Sequence, residues 1–184
     1  SPIQSALLEG FSSTAVSLMQ LDEKMDHGPI LGQIELEISP DDNYFSLEDK
    51  LADVGGELIK KSIFDYLSGL LKSSPQDHDQ ATRCKLIRKK DGLIDWTKPA
   101  ENIINQVRAF ILWPGSFTTL KGLELKITKA MVSLEKLAPE EIKIDSDRLL
   151  VGTGTEALQI LELQPAGKKR MLATDFIRGY QNKL

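Results

Sequence analysis

Cysteine is almost absent. Cys84 stands alone among 184 residues, so no disulfide can form within the chain, and a reducing compartment fits that usage. Histidine is nearly as scarce. His27 and His78 lie far apart from each other in sequence, and His27 lies far from Cys84, which argues against a zinc site and leaves no metal in the expected chemistry. No apolar run approaches the length of a membrane span, and the first residues carry no signal-peptide pattern. The expectation is a cytoplasmic monomer with no membrane partner. What remains, 41% apolar and 27% charged, is ordinary for a globular chain of one domain or two small ones.

The net charge of −4 hides a gradient. Residues 1–80 carry 5 Lys+Arg against 15 Asp+Glu, a balance of −10, while residues 81–184 carry 18 against 12, a balance of +6. An acidic half joined to a basic half suggests two units, the second facing an anionic partner. An uneven scatter of solvated charge would look the same.

The chain opens as if in the middle of something longer. No methionine leads it, Pro2 can start a helix at its first turn, and Gly10 can close that helix. A strand-like run covers Thr14 to Gln20. In Gln33 to Ile38 apolar residues fill every second position, the pattern of a half-buried strand. A long helix follows, with Ser46 as expected N-cap and Asp49 three residues on. Its apolar stripe is Leu47, Leu51, Val54, Leu58, Phe64, Leu67 and Leu71. Gly55 and Gly56 each cost about 1 kcal/mol there relative to alanine, which close packing on a sheet would explain. Residues 73–92 are polar and then basic, and read as a linker. Beyond it come a helix over Ala100 to Phe110, a stop at Trp113-Pro114-Gly115, and five short strands: Ser116–Leu120, Leu123–Met131, Ile142–Asp145, Arg148–Val151 and Ala157–Leu163. That set suggests a small barrel of the OB type.

The segment richest in chemistry is Leu21-Asp22-Glu23-Lys24-Met25-Asp26-His27-Gly28-Pro29, an acidic, glycine-bearing loop between two strands. By local sequence alone Asp26 reads first as a turn aspartate bonded to its own backbone before Gly28. His27 reads as an exposed loop histidine and His78 as solvated. Gly152-Thr153-Gly154-Thr155 lacks the lysine of a phosphate loop and reads as a turn. Trp96 and Trp113 read as packing residues, and Cys84 has no chemical role.

Several blocks together resemble the methionyl-tRNA formyltransferase family. They are Ser1-Pro2-Ile3-Gln4, Met19 through Leu31, Asp91-Gly92-Leu93-Ile94-Asp95-Trp96, Arg108-Ala109-Phe110 with Trp113-Pro114-Gly115, and Leu161 through Met171. They lie in family order across the whole chain. The resemblance implies an α/β plus β-barrel fold: residues 1–72 as the C-terminal portion of a Rossmann-like formyltransferase domain, 73–92 as linker, and 93–184 as an OB-like tRNA-binding domain. It implies transfer of a formyl group from 10-formyltetrahydrofolate to the amino group of methionyl initiator tRNA. Asp26 then matches the family's catalytic aspartate, and Asp22 is a candidate folate contact that could instead cap the loop. Lys85, Arg88, Lys89 and Lys90 form one candidate tRNA-binding cluster; Lys168, Lys169 and Arg170 form the other. The family's catalytic asparagine and histidine, and its Ser-Leu-Leu-Pro segment, belong upstream of these blocks, so the resemblance makes the chain a truncated portion without turnover of its own. Two departures stand out: Ile111-Leu112 replaces the usual Asn-Pro, and His27 follows the aspartate where threonine or glycine is common. Two alternatives remain: a folate-dependent relative acting on an amino sugar nucleotide or hydrolysing the donor, and a non-catalytic RNA-binding module.

Overall fold

A computed structural model describes residues Ser1–Tyr180; the last four residues of the expected second domain lie outside the described residues. By contact the chain forms two compact units. One is Phe11–Lys85. The other joins Ser1–Gly10 to the chain from Leu86 onward. The division falls inside residues 73–92, and the first ten residues group with the later unit.

The Phe11–Lys85 unit is a hairpin with one helix. Strand β1 (Ser13–Met19) pairs antiparallel with β2 (Ile30–Glu37), from Ser13↔Glu37 to Met19↔Ile30, with an irregularity at Leu18/Met19. Helix α2 (Tyr44–Leu67) packs on both strands. The helix starts earlier than Ser46, because Asn43 caps it. The Asn43 side chain accepts from the Phe45 and Ser46 N–H groups, and the Ser46 hydroxyl accepts from Asn43 N–H in return. Asn43 supplies the acceptor three residues earlier, which moves Ser46 to the reciprocal position of a capping box.

The expected apolar stripe is only partly buried. Leu47 is 0% and Leu58 6% exposed, whereas Phe64 and Leu67 are 77% and 73% exposed. At 3.6 residues per turn the position that continues the Leu58 face is Ser62, which is buried against Gly32 of β2, whereas Phe64 and Leu67 fall roughly 120° and 180° away from Leu58 and face solvent. Nor does packing demand both glycines. A Cβ on Gly55 would meet Val16 at 3.5 Å, an ordinary contact, and one on Gly56 would meet nothing within 4 Å.

The other unit begins with α1 (Pro2–Leu8), opened by Pro2 as expected and followed by Gly10 at φ 70°. It packs on α3 (Ala100–Ala109), and Gln4 donates to the Trp113 carbonyl at 2.9 Å. Then come β3 (Ser116–Leu120), β4 (Leu123–Val132), β5 (Ile142–Asp145), β6 (Arg148–Val151), β7 (Leu158–Pro165), the two-residue β8 (Met171–Leu172) and α4 (Ala173–Tyr180). All five expected strands are present, three with their expected bounds unchanged. They form an antiparallel sheet in the order β3-β4-β7-β6-β5, with β8 beside β7.

The expected closed barrel is not found among the described residues. The free edge of β3 is met by the chain before α3, through a Leu93↔Phe117 bridge and Ile94 N–H donating to the Phe117 carbonyl at 2.8 Å, and not by β5. The two helices complete the core: Ile103 and Val107 of α3 and Phe176 and Ile177 of α4 join Trp96, Leu125, Ile127, Leu149, Leu158, Ile160 and Leu163. Trp96 is 2% exposed and donates from its indole to the Thr118 hydroxyl at 2.8 Å, which satisfies its one polar atom. The turn at 152–155 has a tertiary role. Pro99 has no side chain able to cap α3, and the Thr155 hydroxyl accepts from Ala100 N–H at 3.0 Å instead.

Candidate functional site

The loop of residues 20–29 joins β1 to β2. Its neck is closed by Gln20 N–H donating to the Pro29 carbonyl at 3.0 Å. That closure brings backbone so near Gly28 that a Cβ there would overlap the Gln20 carbonyl; glycine is needed for close approach. Asp26 sits at φ 53°, a left-handed position that aspartate tolerates better than most residues. Its side chain is exposed, beside Met25 at 91% exposure.

Asp22 is engaged inside the loop. Its Oδ1 accepts from Lys24 N–H at 2.9 Å, an Asx-type turn, and its Oδ2 lies 2.6 Å from His27 Nδ1. The hydrogen bond with His27, then that from the Lys24 backbone, hold the Asp22 carboxyl below its ordinary range. His27 is thus paired rather than free, and its ring stacks on His78 with centroids 3.8 Å apart.

Residues 74–78 run beside the loop as a strap. Ser74 and Ile30 exchange both backbone hydrogen bonds, at 2.7 and 2.8 Å. The Gln76 amide donates to the carbonyls of Asp26 at 3.0 Å and Gly28 at 2.6 Å. Reading the sequence for linkers passes over Gln76 and the ring stack, because a polar stretch with one proline carries no sign of what it lies against.

The basic clusters divide. Lys85, Arg88, Lys89 and Lys90 are exposed, and no carboxylate among the described residues lies within ion-pair distance of them. Lys168, Lys169 and Arg170 occupy the exposed turn from β7 to β8, where Arg170 Nε pairs with Glu162 at 3.2 Å. Distant parts of the sequence meet at an open cavity of about 480 Å³. Lys89 lines it from one cluster and Gly167, next to Lys168, from the other, with Phe117, Lys126 and Gln164 between. Lys126 belongs to no run of basic residues and is not singled out along the chain. Its stem lies across Gly115, where a Cβ would overlap it.

Comparison with known proteins identifies the family. The sequence model described as "Formyl transferase, C-terminal domain" matches residues 86–181, and that described as "Formyl transferase" matches residues 1–63. The methionyl-tRNA formyltransferase of Koribacter versatilis is 40% identical over 181 residues, which cover 98% of this chain and 58% of that protein. A variant of HypX from Aquifex aeolicus shares the fold with a TM-score of 0.74 at 16% identity, over 98% of this chain and 33% of that one. An N-formyltransferase from Helicobacter canadensis, solved with folinic acid and dTDP-3-aminofucose, gives 0.70 at 20% identity, over 89% of this chain and 60% of its own.

Proposed function

The chain belongs to the formyl transferase family, and from that premise we propose that it serves the transfer of a formyl group from 10-formyltetrahydrofolate to the amino group of methionyl initiator tRNA, with Asp26 as its catalytic carboxylate. The observation that carries this reading is the loop of residues 20–29: an exposed aspartate at a left-handed backbone position, on a glycine-closed loop buttressed from two sides.

The chemistry is acyl transfer between nitrogens. A neutral amine attacks the formyl carbon and a C–N bond forms. The carbonyl oxygen gains charge in the tetrahedral species. The C–N bond to the donor then breaks, the attacking nitrogen loses a proton and the leaving nitrogen gains one. Such a site needs a donor at the oxygen and a relay for the proton. A carboxylate assists by orienting an imidazole and stabilising its protonated form. His27 is not that imidazole, since its Nδ1 is committed to Asp22, and His78 is stacked on it. The asparagine and histidine that the family supplies are not matched by residues of this sequence. The chain spans 58% of the length of its Koribacter versatilis relative, and by itself it is expected to show no turnover.

Acceptance of tRNA is supported by the cavity that Lys89 and Lys126 line beside the aromatic face of Phe117, a mix of cation and ring suited to a phosphate backbone and its bases. Over the amino sugar nucleotide alternative, the tRNA reading is favoured by 40% identity to the methionyl-tRNA formyltransferase of Koribacter versatilis against 20% to the N-formyltransferase solved with dTDP-3-aminofucose.

The test is formyl transfer to methionyl-tRNA by the full-length gene product. Asp26→Asn is expected to lower kcat by roughly 100-fold or more, with KM for tRNA little changed. Turnover that survives the substitution intact refutes the assignment.

A further inference from the structure

We infer that Gln76 is a positioning residue for Asp26, holding the loop from outside through a pair of hydrogen bonds; this rests on the reading of Asp26 given above. The loop tip has little else to fix it. Asp22 and His27 tie the loop to itself, and the Gln20–Pro29 bond closes only its neck. At the tip, the left-handed Asp26 carries an intrinsic cost of about 1 kcal/mol, and a return to extended backbone would swing its carboxylate away. The Gln76 amide has two N–H hydrogens. Its oxygen acceptors are the carbonyls of Asp26 and Gly28, on either side of His27, and the Met19 sulfur, a weak acceptor at 3.8 Å, is the other contact of the same nitrogen. One side chain therefore fixes both peptide planes that flank the tip.

The strap that carries Gln76 is itself anchored. Every second residue engages the loop or the strand that leaves it: Ser74 by backbone exchange with Ile30 of β2, Gln76 by its amide, and His78 by stacking on His27. An interval of two is the interval at which an extended chain presents side chains to one side. The backbone exchange fixes where Gln76 begins, so its half-buried amide meets the carbonyls with little freedom left to lose. Residues 74–78, which by composition resemble a linker, are thus part of the Asp26 site.

The test separates donation from bulk. Gln76→Glu keeps size and shape but, once ionised, can only accept, and it faces two carbonyl oxygens; Gln76→Ala removes the group. In the full-length gene product both are expected to lower kcat by roughly 10- to 100-fold, as displacements near 1 Å do, with KM for both substrates unchanged. The second readout does not need turnover. Tryptic cleavage at Lys24–Met25, measured by mass spectrometry against cleavage at Arg83–Cys84 in the same molecule, should rise several-fold in both variants. A Gln76→Glu protein that matches wild type in kcat overturns the positioning role. A cleavage ratio unchanged in both variants overturns the clamp, whatever the turnover. If the wild-type gene product transfers no formyl group at all, the proposed function fails, and the cleavage ratio still decides whether Gln76 holds the loop.

Discussion

Removing the Asp42 carboxylate should loosen the helix that backs the β1–β2 hairpin. Asp42 is 4% exposed and sits just before the N-cap of α2. One oxygen accepts from the Ser46 hydroxyl at 2.8 Å, and the other from Ser39 N–H at 2.8 Å and from the Lys50 ammonium at 2.7 Å. Burial pushes its pKa up, but the bonds from Lys50, Ser46 and Ser39 outweigh that and hold it below the ordinary value. Hydrogen bonds to a buried carboxylate contribute about 1.5–3 kcal/mol. The Lys50 side chain is 44% exposed, so its share is discounted to under about 1 kcal/mol. Asp42→Ala, which also strands the Ser39 N–H, should therefore cost about 3 kcal/mol. Asp42→Asn keeps one acceptor oxygen and should cost about half of that.

Urea unfolding followed by far-UV circular dichroism reads the loss. Hydrogen exchange of peptides within Tyr44–Leu67 locates it in α2. The pH dependence follows from the sign of the shift. Because the folded carboxyl is held below its unfolded value of 3.8, its contribution is complete above that value and is lost as pH falls through the lower, folded one. The gap between wild type and Asp42→Asn should accordingly narrow on acidification. An Asp42→Ala protein within about 0.5 kcal/mol of wild type at neutral pH, or a gap that widens in acid, refutes the reasoning.

Two further outcomes are expected. Gly56→Ala should raise stability by about 0.5–1 kcal/mol, because its Cβ meets nothing within 4 Å; a lower urea midpoint would show a contact the structure does not contain. Replacing Lys89 and Lys126 together by alanine should weaken tRNA binding and flatten its dependence on log salt by about two; an unchanged slope in filter binding would remove the cavity from the tRNA surface.

Much of this protein was legible along the chain because it is local. Alternation in Gln33–Ile38 and the turn residues between short apolar runs located the strands, and three of them, Ser116–Leu120, Ile142–Asp145 and Arg148–Val151, kept their bounds. The ordered blocks around Asp26, Trp96 and Pro165 carried the family. Tertiary structure decided what depends on residues meeting across long separations. Thr155 caps α3 from 55 residues away. The 93–94 segment meets the edge of β3 that a closed barrel would have used. Burial of Ser62 on α2, with Phe64 and Leu67 left in solvent, follows from which face of the helix the sheet covers. The same holds at the site. Sequence could single out Asp26 as a candidate, because the contiguous block around it resembles the family's, although the aspartate by itself reads as a turn residue. It could not find Gln76, 50 residues on, because an amide in a polar stretch acquires its meaning only from the two carbonyls that folding brings within hydrogen-bond reach.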